Sequence, residues 1–100
     1  MRKEILLVAA LTFNAHAITS DEATQKAEEW CKEEAWEKHK AKGGLIRVMT
    51  FKGKNGTYDF SGSVEHIKNT AKKVTMSGIC AGQVTPKGEI VGGVIDIYKD

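Results

Sequence analysis

Two cysteines, Cys31 and Cys80, are the only ones in this 100-residue chain, and they constrain its fold more than any other feature. Cys31 lies in a stretch without Pro or Gly, from Glu22 to Lys42, in which the good helix formers Ala, Glu, Lys and Gln dominate. At about 100° per residue, Ala23, Ala27, Trp30, Cys31, Glu34 and Ala41 share one side of that helix. Cys80 lies in Val74–Val84, where alternation puts Val74, Met76, Gly78, Cys80, Gly82 and Val84 on one strand face. Two unrelated periodicities therefore aim both sulfurs into the space between a helix and a sheet. An internal Cys31–Cys80 disulfide is expected, over two free thiols or an intermolecular bridge. Neither cysteine has a Cys or His neighbour at metal-ligand spacing, and Cys-x-x-Cys is absent, so no metal, redox motif or cofactor is expected.

The N-terminus agrees with an oxidising destination. Arg2 and Lys3 precede a short apolar run, Ile5 to Phe13, and Ala15-His16-Ala17 has the small-x-small form that signal peptidase cuts after. The run is shorter than the roughly 20 residues that span a bilayer, so no stable membrane anchor is expected. Residues 1–17 read as a signal peptide and 18–100 as a single small domain, exported to the periplasm or secreted. A core of this size is marginal, and small exported domains commonly add a covalent staple.

Thr19-Ser20-Asp21-Glu22 fits a capping box at a helix start. Lys38, Lys40 and Lys42 load the last turns with positive charge, and Gly43-Gly44 is the expected stop. Beyond it everything reads as strand. Leu45–Lys52 is rich in β formers, and Gly53-Lys54-Asn55-Gly56 is a turn signal. In Thr57–Val64, Tyr58, Phe60, Gly62 and Val64 alternate with Thr57, Asp59, Ser61 and Ser63. Glu65–Lys73 reads as a hairpin centred on Asn69-Thr70, with a single helical turn as the alternative. After Thr85-Pro86-Lys87-Gly88 comes a last strand, Glu89–Tyr98. Strict alternation there sets Val91, Ile95 and Ile97 against Ile90, Gly92 and Val94, apolar on both sides. Such a strand is central in its sheet, or its second face meets something else. Gly62, Gly78, Gly82 and Gly92 would let a helix backbone approach the sheet. The expected fold is α+β: one N-terminal helix on a four-stranded antiparallel meander, with one disulfide.

Candidate chemistry is sparse. Past the leader the histidines are His39 and His66, with Glu37 and Glu65 the nearest acids in sequence. A histidine with a carboxylate supports acid–base catalysis, but no spacing forces these groups together. Ser61-Gly62-Ser63 and Ser77-Gly78 lack the Gly-x-Ser-x-Gly frame, and no phosphate loop is present. Tyr58 and Phe60 fall on the face assigned to the core, and the net charge of +2 is small, so nucleic acid is not an expected partner. Acids dominate Asp21–Glu37 and bases Lys38–Lys73, which reads as a solvated helix followed by lysine-protected strands.

The closing Gly93-Val94-Ile95-Asp96-Ile97-Tyr98-Lys99 resembles the last strand of small periplasmic stress proteins of enterobacteria. The likeness is confined to that strand, and those proteins lack the long Cys-bearing segment, so it implies no site. By elimination, the expected function is that of a small exported binding protein, an inhibitor, immunity or exclusion factor with another protein as partner. The rival reading is a small secreted hydrolase, nuclease-like, using His39 or His66 with a carboxylate. Trp36 lies roughly 120° round the helix from Trp30 and is the candidate binding residue. Its alternative is a place flanking the core or beneath Glu65–Lys73.

Overall fold

The computed structural model describes residues 17–100, so the signal peptide expected at residues 1–17 lies outside the described residues except for Ala17. Helix α1 spans Ser20–His39. Thr19 caps it as the sequence predicts: its Oγ1 accepts from the Glu22 N–H (3.1 Å), and Glu22 Oε1 accepts from the Thr19 N–H (2.7 Å). Five antiparallel strands follow: β1 (Ala41–Lys42), β2 (Leu45–Lys52), β3 (Tyr58–Asn69), β4 (Thr75–Val84) and β5 (Ile90–Lys99). The α+β architecture and the meander β2–β3–β4–β5 match expectation; the fifth strand does not.

That strand comes from the end of the helix, which stops short of Lys42. Lys40 adopts a left-handed conformation (φ 50°, ψ 40°), and its N–H donates to the carbonyls of Ala35 and Trp36. The end of β3 and the turn after it then capture the terminal carbonyls. Asn69 Nδ2 donates to His39 O (2.6 Å), and Thr70 N donates to Lys40 O (3.0 Å). Ala41 and Lys42 pair with Asn69 and Lys68, and Ala41 is buried by this pairing rather than on the helix stripe. Strand pairing has overridden helix propensity over these residues. β1 and β2 both lie along β3, as one edge strand broken at Gly43-Gly44. The break is sterically required: Gly44 has φ 67°, and a Cβ there would overlap the Glu65 carbonyl.

The expected hairpin is present, but its turn follows Asn69 and is centred on Ala71-Lys72 rather than on Asn69-Thr70. β3 continues through Glu65 to Asn69, and the turn is closed by Asn69 N to Val74 O (2.9 Å) and Lys73 N to Asn69 O (2.8 Å). The Asn69 side chain accepts from the N–H groups of Ala71 and Lys72 within the turn. A bulge between Val64 and Ile67 kinks the strand before it.

The core lies between α1 and one face of the sheet. Ala23, Ala27, Cys31 and Ala35 form the buried helix stripe; Ala35 was absent from the stripe expected from sequence. Opposite them sit Tyr58, Phe60, Val64, Ile67, Cys80, Val84 and Ile97. The Cys31–Cys80 disulfide joins the two layers across a Cα–Cα distance of 6.2 Å, with both cysteines fully buried. Trp30 packs edge-on against Phe60 (ring centroids 6.0 Å apart, planes at 68°).

The last strand departs from strict alternation. A bulge displaces the β4–β5 register between Ala81 and Gln83, and Gly92, at φ 61°, occupies the irregular position. The phase flips there. Ile90, Ile95 and Ile97 face the core, whereas Val91, Val94, Asp96 and Tyr98 face away. The glycine that meets the helix is Gly93, where a Cβ would lie 2.5 Å from the Trp30 ring; on Gly62, Gly78 and Gly82 a Cβ would meet neighbours in the sheet first, and on Gly92 nothing within 4 Å. β5 is also an edge strand rather than a central one.

Candidate functional site

Trp36 leaves the helix on the side away from the disulfide and is 43% exposed. Its indole is not bare. Lys40 Nζ lies 5.5 Å from the ring centroid and Lys42 Nζ 5.8 Å, both within cation–π range. The left-handed cap at Lys40 brings that side chain back over the last turn, and the β1 pairing places Lys42 beside it. The helix stop that sequence reasoning put too late is thus what assembles this aromatic–cationic surface.

Next to it, a cleft of about 330 Å³ opens between the end of α1 and the β1–β2 edge. Buried Ala35, Ala41 and Ile67 line it, along with Ile46, and exposed Lys32 and Lys42 stand at its mouth. Lys42 therefore belongs both to the cleft and to the Trp36 ring. Lys38 is engaged separately, 3.4 Å from Glu34.

The two histidines lie in different settings. His39 ends the helix, where its carbonyl accepts from Asn69. His66 occupies the β3 bulge at φ 58°, and its side chain is 74% exposed. Its acid partner is neither Glu37 nor Glu65 but Asp100: Nδ1 lies 3.0 Å from Asp100 Oδ2. The His66 N–H also donates to Ser77 Oγ (2.9 Å). Nothing in the sequence signals this pairing, because it depends on the bulge and on β5 lying next to β4. The Ser77 hydroxyl, and then the His66 imidazole, hold the Asp100 carboxyl below its ordinary range. A lowered carboxyl stabilises the fold above its ordinary pKa, and that contribution is lost as pH falls through the lowered value, in the region below about pH 4. Ser77→Ala should raise the Asp100 titration midpoint toward the ordinary value, followed by carboxyl-carbon NMR. An unchanged midpoint would rule out Ser77 as the main donor.

The sheet face turned away from the helix is the other unusual surface. Leu45, Met49 and Phe51 on β2, Ile79 on β4, and Val91, Val94 and Tyr98 on β5 are all exposed there, from 42% to 65%. An antiparallel sheet open to solvent on one face ordinarily carries polar residues there. Here only the outward residues of β3 (Asp59, Ser61, Ser63 and Glu65) meet that rule throughout. Sequence reasoning found a second apolar side only on the last strand, because β2 offered no outward–inward assignment without its register against β3.

Among the described residues, no helix is long and apolar enough to cross a membrane, and no group of three His, Cys, Asp or Glu side chains could hold a metal ion. No protein-family model, curated protein or solved structure matches the chain.

Proposed function

We propose that this chain is a small exported binding protein, of the inhibitor, immunity or exclusion type, that holds a protein partner through Trp36. The observation that carries this reading is an indole left open to solvent yet flanked by two lysines on a disulfide-bonded scaffold. Tryptophan is enriched among binding hot spots, where it combines a large apolar surface with a single donor. Lysines around it favour a partner that presents carboxylates beside an apolar contact. Export is supported by the leader-like residues 1–17 and by the disulfide, which persists in oxidising compartments. The hydrolase reading rests on the His66–Asp100 pair, which is open to solvent and lies outside the cleft beside Trp36.

The test is capture from an envelope extract with the disulfide-bonded protein and its Trp36→Ala variant in parallel. The wild type should retain a protein partner that the variant binds about 30-fold more weakly, corresponding to about 2 kcal/mol at a hot spot. Equal retention by both proteins would remove Trp36 from the site.

A further inference from the structure

We infer that the open face of the sheet is covered by a second copy of this chain, packed face to face about a two-fold axis parallel to the strands. The register puts the outward side chains in rows that cross the sheet. Phe51, Asp59, Gln83 and Val91 make one row, and Met49, Ser61, Ala81 and Val94 the next. Arg47, Ser63, Ile79 and Asp96 make the third; Leu45 and Tyr98 stand at the two ends of the fourth. Large apolar side chains are most numerous on the outer strands β2 and β5; the middle strands carry Asp59, Glu65, Gln83 and Ile79, and between them Ser61, Ser63 and Ala81 line a shallow depression of about 460 Å³.

A two-fold axis running between β3 and β4 lays each row over the same row of the second copy, reversed. β2 then covers β5 of the other copy, and β3 covers β4. At the outer positions Phe51 meets Val91, Met49 meets Val94 and Leu45 meets Tyr98, apolar on apolar; in the middle of the first two rows Asp59 meets Gln83 and Ser61 meets Ala81. In the remaining row Arg47 meets Asp96. Each contact occurs twice, as an isologous interface demands.

The charges are available for this. The Arg47 side chain is 68% exposed and reaches Glu65 only at 4.0 Å, and Asp96 forms no ion pair among the described residues. A partner unrelated in sequence has no reason to match a pattern that is complementary to its own reversal. Four strands and eight residues of length give a footprint of about 500 Å² per copy, or on the order of 1,000 Å² for the pair, the lower bound for a specific interface. The product is an aligned sandwich with sheets about 10 Å apart. Both helices lie on its outside, so two copies of Trp36 stay free for partner binding.

Sedimentation velocity of the disulfide-bonded protein over a concentration series tests this. The wild type should sediment as a dimer, and Val94→Lys as a monomer with an unchanged circular-dichroism melt. R47D and D96R should each weaken the dimer by about tenfold, and R47D/D96R should return to within about threefold of wild type, because opposite charges then face each other again. A wild type monomeric at all concentrations would overturn the inference. So would a dimer untouched by Val94→Lys, which would mean pairing through an edge strand, or a double variant no tighter than the singles. None of these readouts depends on Trp36.

Discussion

Reducing the Cys31–Cys80 bond is expected to cost this domain about 4 kcal/mol, the loop-closure value for a cross-link across 49 residues of sequence. The physical origin lies mostly in the unfolded chain. The bond ties the middle of α1 to the middle of β4, so the unfolded state loses the freedom of nearly the whole segment that forms β1, β2 and β3. A domain of this length has a total stability of roughly 4–12 kcal/mol, so the loss removes at least about a third of it and, at the lower end, all of it. With a urea dependence of about 1.5 kcal/mol per molar, the unfolding midpoint should fall by about 3 M when the oxidised protein is compared with C31A/C80A. The native protein should show no reactive thiol, since both cysteines are bonded and fully buried. A shift of only a few tenths molar would mean that the core alone holds the helix on the sheet. The core argues against this: the fully buried residues on its helix side are three alanines and a cysteine, which bury little apolar area per residue.

The disulfide was legible in the sequence because helix and strand periods are local, and each placed one sulfur facing the other layer. The capping box at Thr19 was legible for the same reason, as was the β3 alternation from Tyr58 to Val64. What escaped was everything decided by pairing. The carbonyls of His39 and Lys40 are satisfied by Asn69 and Thr70, some 30 residues on, and no helix signal near Lys40 announces them. The bulge at Gly92 inverts the face of every later residue in β5, so strict alternation grouped Val94 with Ile90 and Ile95 with Val91, whereas Ile90 and Ile95 share the core face and Val91 and Val94 the open one. The candidate site shows the same division. The position of Trp36 away from the buried stripe follows from helical angle, whereas the lysines over its ring depend on the left-handed cap and the β1 pairing.

The two tryptophans should separate cleanly, although they are only six positions apart on one helix. Trp30 leans over the sheet, edge-on to buried Phe60 and directly above Gly93, whose missing side chain makes room for the indole. Trp30→Ala removes that ring from a helix whose other inward residues are too small to fill the gap, so it should destabilise the domain by about 3 kcal/mol. The value sits at the lower end for such truncations because the indole is only partly buried. Trp36→Ala deletes a half-exposed side chain whose ring is flanked by the Lys40 and Lys42 ammonium groups, and it should change stability by less than about 0.5 kcal/mol. Urea titrations of the two oxidised variants measure both effects on one scale. Comparable losses at the two positions would make Trp36 a packing residue and remove the physical basis for a binding surface at the end of α1. A large loss at Trp30 alone would leave Trp36 free to be selected for something other than the fold.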